Sequence, residues 1–191
     1  MQSVKMHVIG MKNFVRDNLM NKYMPSKQSM IDTLNNIGAT DKQIALKTKL
    51  YDTLYEDISA QLTDILTIGS KIDGMDMAIG ADGSLTMMRQ GQSVVLKGIP
   101  KIEMDNGHLY GMLGNQKLNL HLDLKYNNQG HAFVRSNLGD VFENSRYVSK
   151  RITKDLQDGN FRLEDFFGYV NKLGKDLREE ASYSGTSLTT M

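Results

Sequence analysis

Apolar residues recur along this chain with two different periods, and the places where the period changes divide it into segments. Val4, Val8, Met11, Val15, Leu19 and Tyr23 fall three to four residues apart, with Lys5, Lys12, Arg16 and Lys22 elsewhere around the wheel. That spacing predicts an amphipathic helix ending before Pro25. A short helix from about Ser29 to Ile37 stops at Gly38, and Thr40 with Gln43 has the spacing of a capping box. Beyond it Ile44, Leu50, Leu54, Ile58, Leu62, Ile65 and Leu66 make one stripe up to Gly69. A helix of that length is a rod of roughly 40 Å, which must lie along something extended.

From Met75 the period becomes two, and turn pairs appear repeatedly: Asp82-Gly83, Gln90-Gly91, Asn106-Gly107 and Gly114-Asn115. Strands are predicted near 75–80, 84–89, 92–97, 101–105, 108–113, 116–126 and 131–135. Helical spacing then returns through Val141, Val148, Ile152 and Leu156 to a stop at Gly159, and again through Leu163, Phe166, Phe167, Val170, Leu173 and Leu177. The segment Ser182 to Met191 is small, polar and aperiodic, a flexible tail unless a partner orders it.

Two-residue turns fix strand register, so the pattern can be carried to a prediction of faces. An Asn106-Gly107 turn sets Asp105 opposite His108, and a Gly114-Asn115 turn sets Leu113 opposite Gln116, hence Leu109 against Leu120 and His108 against His121. Parity then collects Ile102, Met104, Leu109, Leu113, Leu118, Leu120, Leu122 and Leu124 on one face. The other face takes Lys101, Glu103, Asp105, His108, Tyr110, Lys117, Asn119, His121, Asp123 and Lys125. In the earlier hairpins Ala78, Leu85, Met87, Val94 and Leu96 are expected on one side, with Asp76 opposite Arg89. A half-wet sheet with helical stripes to cover its apolar side is an α+β layer. The expected fold is an antiparallel β-meander of about six or seven strands, packed on one face by the long helix and two C-terminal helices. Residues 1–38 form an N-terminal helical segment, 39–181 a single α+β domain and 182–191 the tail.

Composition narrows the function classes only a little. A length of 191 residues suits one well-cored domain, and a net charge of +1 gives no global pull toward nucleic acid or membrane. The absence of cysteine removes disulfides, thiolate metal sites and a cysteine nucleophile, and leaves the compartment open. No signal-peptide core or transmembrane run is visible, so a soluble protein is expected. Thirteen methionines with no tryptophan fit core filling by an adaptable side chain. Residues 1–24 could touch a membrane peripherally as a basic amphipathic helix, but covering the chain's own core is the simpler use.

The polar face supplies the one candidate constellation. Asp105, His108 and His121 gather on adjacent strands with Asp123 diagonal to them, close enough for imidazoles and carboxylates to share a divalent metal or act as general acid and base. The competing reading is a solvated sheet face with ordinary charge pairs. That reading is favoured, because an open face lacks an enclosed pocket and no HExxH motif is present. Arg146, Lys150, Arg151 and Lys154 make a basic helix stripe, with Lys172, Lys175 and Arg178 on the next helix. Stacking aromatics are not interleaved with that stripe, since Phe166 and Phe167 lie on the apolar side, so a solvated surface is the better account. The stretch Thr40 to Ala45 has no following turn for a helix-turn-helix, which argues against sequence-specific DNA binding. Gly69 to Gly83 lacks the phosphate-loop pattern, and no GxSxG elbow occurs.

The function this favours is a non-enzymatic interaction or assembly subunit working through protein–protein contacts, with self-association or another protein as partner and no cofactor. The alternatives are a carrier of small apolar ligands, and a metal-dependent enzyme using His108, His121, Asp105 and Asp123.

Overall fold

The computed structural model describes residues 2–4, 10–81, 83–96 and 98–180. Val8 of the expected first helix, Asp82 of the first turn pair and the tail 182–191 lie outside the described residues. The chain runs β1 (Gln2–Val4), α1 (Met11–Asn18), α2 (Met20–Tyr23), α3 (Lys27–Asn36) and α4 (Asp41–Ser70). Eight strands follow: β2 (Asp76–Ile79), β3 (Leu85–Arg89), β4 (Gln92–Leu96), β5 (Lys101–Asp105), β6 (His108–Leu113), β7 (Gln116–Asn119), β8 (Leu122–Tyr126) and β9 (Ala132–Ser136). Helices α5 (Gly139–Asp158) and α6 (Leu163–Glu180) end the described chain.

Helix α4 is the axis of the molecule. Its capping box closes as expected: the Gln43 backbone N–H donates to Thr40 Oγ1 at 3.1 Å, and the Thr40 N–H donates to Gln43 Oε1 at 2.8 Å. Leu50, Leu54, Ile58, Leu62, Ile65 and Leu66 are all at most 1% exposed, each worth about 1.5–3 kcal/mol of burial. Around this stripe pack Met11 and Val15 of α1, Phe142 and Ile152 of α5, Phe166 and Leu173 of α6, and the apolar side of the strands, in one continuous core. A buried polar cluster ties three helices together inside it. Gln61 of α4 donates to the Phe142 carbonyl at 3.0 Å, while Ser145 of α5 and Tyr169 of α6 donate to its Oε1 at 2.9 and 3.2 Å.

The strands form three antiparallel sheets, ordered β1-β2-β3-β4, β5-β6-β7 and β8-β9. The middle sheet has the expected register, with Asp105 opposite His108 and Leu113 opposite Gln116. Asn106 and Gly107 both have positive φ, as a type I′ turn requires, and Ile102, Leu109, Leu113 and Leu118 are at most 3% exposed.

Three sequence expectations are corrected. Val4 is not helical: it lies in β1 opposite Met77, and the helix starts only at Met11, after Gly10 takes the left-handed conformation at φ 86°. In the first hairpin Ala78 pairs with Thr86 and Asp76 with Met88 rather than Arg89, so Ala78 falls on the side opposite Leu85, Met87, Val94 and Leu96. The cause is a longer loop: the Gly80 N–H donates to the Ser84 carbonyl and Gly83 N–H to the Gly80 carbonyl, which shifts register by one residue. Finally, the strand expected over 116–126 breaks after Asn119, and β8 leaves for a new partner, β9. Asn137 fills the joint, its amide donating to the Asn119 carbonyl at 2.8 Å and accepting from the His121 N–H at 3.1 Å. Leu124 is consequently 43% exposed rather than part of the apolar face.

Candidate functional site

The break between β7 and β8 decides where the four candidate residues go. Asp105 and His108 flank the β5–β6 turn as cross-strand partners, both exposed. His121 and Asp123 lie beyond the break, where His121 Nε2 approaches Asp123 Oδ1 to 3.1 Å with only 12% and 10% of their side chains exposed. The ring N–H does not point along that line, and neither atom has a hydrogen-bond partner. The structure therefore presents two pairs. Among the described residues no three His, Asp or Glu side chains come together as a metal cage.

Arg135 sits opposite Asp123 in the β8–β9 register, yet its guanidinium is engaged elsewhere. It donates to Glu143 Oε2 at 2.8 Å and to the Gly139 carbonyl at 2.6 Å, and lies 3.0 Å from Asp140 Oδ1. Nearby on α4, burial pushes the Asp57 carboxyl up to about 6, with the Arg135 charge pulling it back. The basic stripe of α5 is exposed, and Tyr147, 72% exposed, does interleave with it in sequence, one turn before Arg151. Arg146 is drawn toward Asp64 of α4 at 3.7 Å.

His108 faces a feature that sequence periodicity does not reveal. A groove of about 350 Å³ runs between the β5–β6 turn and the α3–α4 corner. Leu34, Ile37, Ala39 and Leu46 give it an apolar wall, and Lys47 and His108 stand at its polar side. The turn and the corner touch closely at its base: a Cβ on Gly107 would come within 2.6 Å of the Leu34 side chain. Burial lowers the Lys47 ammonium from its ordinary value. His108 is also lowered, first by desolvation, then by the Lys47 and Lys117 charges, with Asp105 opposing. Helix α4 supplies Lys47 from far along the chain, so only the tertiary fold shows the meeting.

The second free feature is a sheet edge. β4 pairs with β3 and has no further strand beside it among the described residues, and Gln92 to Val95 are all exposed. No helix of the described chain is long and apolar enough to cross a membrane. Comparison with protein-family models, with curated proteins and with solved structures finds no match to this chain.

Proposed function

We propose that this chain is a non-enzymatic assembly subunit that joins a second copy of itself along the free edge of β4. The observation that carries this reading is the character of that edge. Val94 and Val95 are 38% and 56% exposed, and no charged residue or proline occurs from Gln92 to Leu96. Sheet edges left open in monomers are ordinarily guarded by lysine, proline, a bulge or a covering segment, because their unpaired N–H and C=O groups template another strand.

A second copy fits because an antiparallel edge is complementary to itself about a twofold axis, so one surface serves both partners. The net charge of +1 leaves little repulsion between copies. Joining two four-stranded sheets at β4 makes one continuous eight-stranded sheet and pairs the open backbone groups of that edge. The His–Asp pairs lend no support to an enzyme: one is exposed and the other is a closed two-residue contact.

Hydrogen exchange measured over a concentration series tests this. Amides of residues 92–96 are expected to gain protection as protein concentration rises, while those of the β5–β6 turn are not. Concentration-independent exchange along β4, in a chain that sediments as a monomer at the highest concentration, contradicts the reading.

A further inference from the structure

We propose that the groove beside His108 is a binding site for a small amphipathic carboxylate, a short acyl chain or ring bearing one anionic end, independent of the β4 edge. Its volume of about 350 Å³ falls in the range of small-molecule pockets. One wall is made of carbon: Leu34 and Ile37 from the α3–α4 corner, Ala39 behind them and Leu46 from the first turns of α4. Ile37 is 57% exposed, a large apolar side chain left to water at the groove's edge.

The polar side is cationic and unbalanced. Lys47 has no carboxylate within ion-pair distance among the described residues, and His108 of β6 lines the groove with it. Lys117 is poised over the Tyr110 ring at 4.4 Å, which holds it on the same sheet face as His108. The charges that act on His108 are those of Lys47 from α4, Lys117 from β7 and its cross-strand partner Asp105 from β5, two cations against one carboxylate. An incoming carboxylate relieves that excess and receives charge-assisted hydrogen bonds from Lys47 and His108 while its tail lies on the apolar wall. The α4 N-terminus is not the anchor, since its capping box occupies the Gln43 and Thr40 N–H groups and neither Asp41 nor Lys42 lines the groove.

Octanoate, octanol and octylammonium of equal tail length separate the two contributions in a heteronuclear NMR titration of the full chain. Octanoate is expected to shift the amide signals of Lys47, Gly107 and His108 and to bind about tenfold or more tightly than octanol, with octylammonium weaker still. Lys47→Met keeps the aliphatic stem and should weaken octanoate about tenfold while leaving octanol unchanged. Octanoate affinity should rise as pH falls below about 6.5, where His108, lowered from its ordinary value, takes up its proton, and His108→Gln should flatten that dependence. Equal affinity for octanoate and octanol, shifts elsewhere on the chain, or no binding by octanoate overturns the assignment. So does binding only of a peptide with a free C-terminal carboxylate, which would make the groove a protein-docking site. Unchanged melting temperatures establish that the variants are folded.

Discussion

Gly107 shows how much one missing side chain decides. It occupies the left-handed region at φ 79° and lets Leu34 approach to where a Cβ would sit at 2.6 Å. Gly91 has nearly the same backbone, φ 77°, with nothing within 4 Å. Gly91→Ala should therefore cost only the backbone strain, about 1 kcal/mol, whereas Gly107→Ala should cost at least about 1 kcal/mol more because the turn must move off α3. Urea unfolding of both variants measures the difference; equal losses would mean the turn is not seated on Leu34. The dipeptides Gln90-Gly91 and Asn106-Gly107 were both legible as turns from sequence, because type I′ geometry demands residues that tolerate positive φ. That one of them bears on a helix was not, since Leu34 and Gly107 are brought together only by the tertiary fold.

At the level of elements, the joints between helices and strands carry the buried polar groups. Gln61 is completely buried and serves three partners, so Gln61→Leu should lose about 2–4 kcal/mol by taking the acceptor from the buried Ser145 and Tyr169 hydroxyls and the link to the Phe142 carbonyl. Tyr169→Phe removes one long bond of 3.2 Å and should lose only about 1 kcal/mol; similar losses from both, in chemical denaturation, would contradict a network centred on Gln61. Asp57 behaves oppositely. Its folded-state pKa of about 6 lies above the ordinary 3.8, so its neutral form favours the fold below about pH 4, and that stability is lost as pH rises through 6. Asp57→Asn should raise stability at pH 7 by about 1–3 kcal/mol and flatten its pH dependence between 4 and 6, as thermal melts across that window would show. Amphipathic periodicity made α4 readable almost to the residue, and the β5–β6–β7 register followed from two short turns. The break after Asn119 was hidden because Leu118, Leu120 and Leu122 keep alternating across it, and the joint is made by the side chain of a distant Asn137. Val4 reads as helical in the sequence because four-residue spacing also fits a strand residue followed by a helix, and Gly10 is the local sign of the change.

For the whole molecule, one core centred on α4 leaves open, among the described residues, the cationic groove at His108, the basic face of α5 and the β4 edge. The candidate metal cluster depended on His108 and His121 staying on one uninterrupted strand pair, and the change of partner at β8 separated their surroundings. The assembly account rests on the β4 edge, with its two exposed valines and no guarding charge. Its most direct test is light scattering across a concentration series for the native chain and for Val95→Lys, which places a charge where strands would meet and should leave the rest of the fold intact. The account predicts a mass approaching twice that of the 21.5 kDa chain, falling to one chain in the variant at an unchanged melting temperature. A native chain that stays at one mass at every concentration, or a variant that assembles as well as the native protein, contradicts it.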